Sequence, residues 1–229
     1  MLLEKITHRF RLKLKDREAA ANILGEGIKE IMIEERRKNC IVLGIPRGGV
    51  IVGDILASKL GCEFDIVITK RLRAPFNEEI GIGAVTEDGT IYINDYLVRE
   101  LGISQHYIEA ETRHQIQEIT YRNSQYRSKR RDHQISGKTV ILTDDGAATG
   151  ATLIAAARWI ERKHNPEYLI IAIPIAPKDT IILLKREADE VEVITSPANS
   201  SFKSVEQYYQ SFEAVPDDKV IQIMKKYSS

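Results

Sequence analysis

From Val140 to Thr152 the sequence reads Val-Ile-Leu-Thr-Asp-Asp-Gly-Ala-Ala-Thr-Gly-Ala-Thr: an apolar strand delivers two adjacent carboxylates into a small-residue turn that opens a helix. Few folds accept that order. Small residues let backbone come close to a ligand, and the first amides of a helix present unpaired donors and the positive end of its dipole to an anion. Thr149 and Thr152 add hydroxyl donors. Ionised Asp144 and Asp145 accept hydrogen bonds only, which suits the hydroxyls of a ribose lying beside its phosphate. Helix capping would need one carboxylate; two in a row repel each other unless cations or hydroxyl donors compensate, so the pair points to a ligand.

The rest of the chain supplies the sheet that such a turn requires. Ile41 to Ile45, Phe64 to Thr69, Thr139 to Thr143 and Tyr168 to Ile173 are continuous apolar runs, and Val191 to Thr195 adds a fifth candidate strand. Strands without alternation are apolar on both faces, as in a parallel sheet covered by helices on each side. Val50 to Leu60, Thr152 to Lys163 and Asp179 to Arg186 read as those helices, which gives a doubly wound α/β fold. Asp16 to Ile33 has the spacing of a packed helix, and Ser104 to Arg131 reads as a long polar one. In 229 residues there is room for one sizeable α/β domain with an appended element.

Ligands of doubly wound sheets collect at the strands' carboxyl ends, where Gly44-Ile45-Pro46-Arg47-Gly48-Gly49 and the Asp144 turn both lie. Arg47 offers a fixed fork of donors suited to a diphosphate. Lys70 to Glu79 follows a strand and reads as a charged loop able to close, with Lys70 and Arg71 as ligands of a departing diphosphate; Arg73, Glu78 and Glu79 have no assigned role. Gly81-Ile82-Gly83 lacks the third glycine of a dinucleotide fingerprint, and the Gly150 region lacks the lysine of a P-loop.

Charge and cysteine content narrow the classes further. Lys plus Arg and Asp plus Glu each number 33, so net charge gives no bias toward nucleic acid or acidic membranes. The basic stretch Arg122 to Arg131, with Tyr121 and Tyr126, reads as a solvated helix end or subunit contact. Cys40 and Cys62 suggest neither a disulfide framework nor a zinc site and are expected as buried, reduced thiols. His8, His106, His114, His133 and His164 show no paired metal-ligand spacing. No 18-residue apolar run and no signal-peptide core occur, and a soluble cytoplasmic protein is expected.

Together these residues resemble the type I phosphoribosyltransferases. The motifs Asp144 to Thr152, Gly44 to Val50 and Ile82-Gly83-Ala84-Val85 are similar to a poorly characterised prokaryotic branch of that family, and Asp16 to Ala20, Phe202, Val205 and Tyr209 also fit it. The resemblance implies a single domain over 1–229, with a five-stranded parallel core at about 36–195 and a small hood built from the N-terminal segment and residues 196–229. It implies 5-phosphoribosyl 1-diphosphate (PRPP), Mg2+, a nitrogen acceptor and a homodimer. Asp144 and Asp145 would hold the ribose hydroxyls, directly or through metal-bound water, with no direct protein ligand to the metal. Gly146, Ala147, Ala148, Thr149, Gly150, Ala151 and Thr152 would grip the 5-phosphate, and Arg47, Gly48 and Gly49 the diphosphate. Ala148 stands where hypoxanthine-guanine enzymes carry a third acid, as adenine-type loops allow, so a purine-type base is the preferred acceptor. Phe202, Tyr208 and Tyr209 could stack on it; aromatics at this spacing also pack small helices. The rival reading is a non-catalytic, PRPP-binding regulator.

Overall fold

A computed structural model describes residues 13–127 and 135–227. Its centre is a parallel sheet of β1 (Cys40–Gly44), β2 (Glu63–Ile66), β6 (Thr139–Thr143), β7 (Tyr168–Ile175) and β8 (Glu190–Thr195), in the order β2-β1-β6-β7-β8. All residues of β1 and β6 are buried, which explains the continuous apolar runs. The five-stranded parallel α/β architecture inferred from those runs is the one observed.

Among the described residues are the five helices that the sequence predicts and three that it does not. They are α1 (Arg17–Ile31), α2 (Glu34–Lys38), α3 (Gly48–Leu60), α4 (Asp95–Glu100), α5 (Gln105–Tyr126), α6 (Ala151–His164), α7 (Lys178–Leu184) and α8 (Asp217–Lys226). Asp16 caps α1 by accepting from the Ala19 amide, and Ser104 caps α5 by accepting from the Tyr107 amide. The expected continuation of α5 to Arg131 falls partly outside the described residues; the helix runs to Tyr126, with Arg127 as its C-cap.

Two expectations need correction. Lys70 to Glu79, read as a loop, is a β-hairpin: β3 (Thr69–Ala74) pairs antiparallel with β4 (Asn77–Thr86), and β5 (Ile91–Ile93) completes a second, three-stranded sheet. Leu72, Ala74, Ile82, Ala84 and Val85 are buried, so the hairpin is half core, and Arg71 and Arg73 are exposed on its other face. Cys40 and Cys62 are not reduced thiols; they form a disulfide. The register explains it: Ile41 pairs with Glu63 in parallel strands, which makes the preceding cysteines neighbours with Cα atoms 5.0 Å apart.

The segment before α1 meets the segment that follows β8. Leu14 pairs with Tyr209, its amide bonding Tyr208 O at 2.8 Å, while its carbonyl accepts from Gln210 N at 2.7 Å. Ala20, Ile175 and Tyr209 form a small buried cluster there, flanked by Phe202, Val205, Tyr208 and Phe212. Among the described residues, no helix is long and apolar enough to cross a membrane.

Candidate active site

The strand order sets the site. From β1 the chain crosses to β2 on one side, whereas β6, β7 and β8 proceed to the other, so the carboxyl ends of β1 and β6 flank a switch point where a crevice opens. Ile45 N bonds Thr143 O at 2.9 Å across it. Both predicted turns emerge at this point. Their contact is close: a Cβ on Gly48 would lie 1.8 Å from Asp145 Oδ2, and one on Gly49 would lie 2.8 Å from Asp144 Cα. Glycine is therefore required here for backbone approach, and the Pro46-Arg47 peptide leading into the pair is cis.

Asp144 and Asp145 are thus held together at the base of the crevice. Asp144 Oδ1 accepts from the Asp145 amide at 2.8 Å. Burial pushes the Asp144 carboxyl well above the ordinary value near 3.8, and the neighbouring Asp145 charge raises it further. Burial also raises Asp145, opposed by the Arg17 guanidinium. The two acids stay distinct because only Asp145 has the arginine as a direct partner, at 2.7 Å from Nε to Oδ2.

The Gly146 to Thr152 turn is anchored on both sides. Gly150 takes φ +74° at the N-cap of α6, a conformation that side chains disfavour, and the first turn of α6 starts behind it. Ala147 N bonds Ile175 O at 2.8 Å, and Ala148 O accepts from Thr180 Oγ1 at 2.5 Å. These anchors leave Ala148 and Thr149 exposed at the mouth and Thr152 half-buried. Gly146 lies under the C-terminal segment, where a Cβ would meet Val205 at 2.6 Å.

Strand alternation separates the two cations expected to act together. Lys70 lines a small cavity with Arg47, whereas the Arg71 side chain lies across Gly81, 2.5 Å from where its Cβ would be. Burial lowers the Lys70 ammonium pKa, and Arg122, Arg73 and Arg47 lower it further against an opposing Glu118. Arg73 pairs with Glu78 at 2.5 Å on the exposed hairpin, whose tip residue Phe76 is 86% exposed. The side chain of Glu79 lies outside the described set, as do His8 and His133.

The aromatic residues divide as well. Phe202 and Tyr208 stack with centroids 5.8 Å apart and remain half-buried. Tyr209 is 2% exposed, and its hydroxyl donates to Asp145 O at 2.8 Å, which makes it a buttress of the acid pair rather than an open stacking surface. Arg17 is the residue that sequence reasoning missed. It touches Asp145, donates to Glu213 O at 2.8 Å and sits 3.8 Å over the Phe212 ring. A cation in the first turn of a helix opposes the dipole, and that mismatch was the available signal.

Comparison with known proteins agrees with this geometry. The profile of the family described as Phosphoribosyl transferase domain matches residues 12–210. Proteins named "putative phosphoribosyl transferase" from two strains of Mycobacterium tuberculosis are each 33% identical over 202 residues, covering 88% of this chain. The chain spans 45% of the length of those relatives. TT1426 from Thermus thermophilus has a crystal structure that aligns over 95% of this chain and 100% of its own, with TM-score 0.77 and 33% identity.

Proposed function

The chain belongs to the phosphoribosyl transferase family, and on that premise we propose that it transfers the 5-phosphoribosyl group of PRPP to a nitrogen acceptor, releasing diphosphate. One observation carries this reading: the Gly48-Gly49 backbone lies against the Asp144–Asp145 pair at the switch point, so a diphosphate group and a ribose would be held side by side. The amides of Ala148 to Thr152 take the 5-phosphate at the opening of α6, while the Ala147 amide, expected among them, is committed to Ile175 O. Asp144 and Asp145 accept from the ribose hydroxyls. Arg17 and the Tyr209 hydroxyl fix Asp145 from behind.

The donor set fits Mg2+. Two adjacent carboxylates offer hard oxygen donors, which suit this ion, and a cation bound there would offset the burial and mutual repulsion that raise the Asp144 carboxyl. Among the described residues no group of three or more His, Cys, Asp or Glu could hold a metal. One or two carboxylates, water and substrate oxygens are the set Mg2+ usually accepts, so Asp144 and Asp145 would hold it through water. Bound there, it would neutralise charge on the diphosphate and ribose oxygens.

The reaction breaks the bond from ribose C1 to the diphosphate oxygen, and its electron pair leaves with that oxygen. A nitrogen lone pair closes on C1 from the opposite face, and the proton that this ring nitrogen gives up passes to solvent. Arg47 and Lys70 are cations positioned for the departing charge, and no covalent enzyme intermediate is required. The acceptor is a purine-type base, for which the half-buried Phe202–Tyr208 stack offers a planar apolar surface.

Incubating the protein with PRPP, magnesium and a panel of purines, pyrimidines and other nitrogen heterocycles tests the proposal. A nucleotide product identified by mass supports it and names the acceptor. Tight PRPP binding without product from any acceptor would instead identify a sensor of the sugar diphosphate.

A further inference from the structure

A cavity of about 200 Å³ opens beside the diphosphate loop, lined by Pro46, Arg47, Ile68, Thr69, Lys70 and Arg122. Three of the six are cations, contributed by the loop after β1, by β3 and by the last turns of α5. Asp217, at the start of α8, answers only part of that charge: it stands 3.8 Å from Arg47 Nη1 and 3.5 Å from Arg122 Nη1. It also accepts from the Tyr126 hydroxyl. Glu118, one turn before Arg122 on the same helix, is the acid that acts on Lys70.

Two polar atoms at this cavity are buried without a hydrogen-bond partner, Thr69 Oγ1 and Arg122 Nε. Thr69 as a residue is only 6% exposed. Buried donors are rarely left unmatched, and a donor-rich cavity with excess positive charge is complementary to phosphoryl oxygens. Pro46 and Arg47 are continuous with the glycines that touch the acid pair, so an anion held here is one residue from the ribose site.

Resting on the transferase reading above, we propose that Arg122, together with Thr69, binds the diphosphate end of PRPP as a specificity-determining ligand outside the Asp144–Thr152 and Gly44–Val50 motifs. Arg122 Nη1 then gives up its hydrogen bond to the Tyr126 hydroxyl, 3.0 Å, and its longer contact with Asp217 for a doubly charged partner. The basic end of α5 thereby acquires a small-molecule role.

Calorimetric titration of the full chain with diphosphate, PRPP and ribose 5-phosphate tests this, using the unmodified protein, Arg122→Ala and Thr69→Val. Both variants should weaken diphosphate and PRPP binding, Arg122→Ala by about tenfold or more. Ribose 5-phosphate, which lacks the diphosphate, should change by less than twofold. Thr69→Val keeps the side-chain shape, so it serves if Arg122→Ala disturbs folding. Diphosphate affinity unchanged in both variants would overturn the proposal, as would an unmodified protein that binds ribose 5-phosphate but not diphosphate. Arg122-dependent diphosphate binding in a protein that ignores ribose 5-phosphate would keep the pocket and remove the transferase reading.

Discussion

Arg17 donates from Nε to Asp145 Oδ2 at 2.7 Å, joining the first turn of α1 to the acid pair across 128 positions of sequence. Both side chains are largely buried, with exposures of 11% and 15%. The contact ties the N-terminal helix, the Phe212 ring and the crevice into one unit.

Arg17→Ala should therefore strand Asp145 beside Asp144 without its cation. Removing one partner of a largely buried, charge-assisted pair costs about 2 kcal/mol. Urea unfolding at neutral pH checks the loss, and PRPP binding should weaken in parallel. Arg17→Lys keeps the charge but not the fork, so it should recover only part of each.

Gly48→Ala is a sharper test of the crevice. Its methyl would fall 1.8 Å from Asp145 Oδ2, so either the loop or the carboxylate must move. Overpacking of this kind costs about 1–3 kcal/mol. PRPP binding should fall by more than tenfold, while the far-ultraviolet circular dichroism stays that of the unmodified protein.

Lys70 carries the pH dependence. Burial and three neighbouring arginines hold its ammonium below the ordinary 10.5, so the native state gives up this proton before the unfolded state does. Between the native value and 10.5 the unfolded chain binds more protons, and stability from this group rises with pH across that window. Denaturant unfolding followed as the pH rises toward 10.5 should show that slope, and Lys70→Met should remove it. Diphosphate beside Lys70 should raise its pKa and oppose the trend.

Cys40→Ser/Cys62→Ser removes a link between residues 22 apart. The chain-entropy argument gives a loss of about 3 kcal/mol, measurable as a lower denaturation midpoint. The pair lies at the amino end of β1 and of β2, opposite the crevice, so PRPP binding should not change.

The parallel sheet could be read from the chain because its strands are buried on both faces and leave continuous apolar runs such as Ile41 to Leu43 and Val140 to Leu142. The hairpin of β3 and β4 could not, because Lys70, Arg71 and Arg73 dominate its composition while Leu72 alternates into the core. Its glycines hold packing information invisible in one dimension: the Gly83 Cβ position is 2.1 Å from Tyr92 O. The acid pair and its loop were legible because their chemistry is local to one short stretch, Asp144 to Thr152. Arg17, Tyr209 and Arg122 reach the crevice only through tertiary folding, and the disulfide depends on strand register.

An acid pair that serves phosphoribosyl transfer shows itself in diphosphate release. Release from PRPP with magnesium should depend on a nitrogen acceptor in the unmodified protein and fall on the order of 100-fold in Asp145→Asn, where an amide replaces one of the charges the crevice provides. Equal release by the two proteins, or PRPP neither bound nor consumed with any acceptor, would contradict the account.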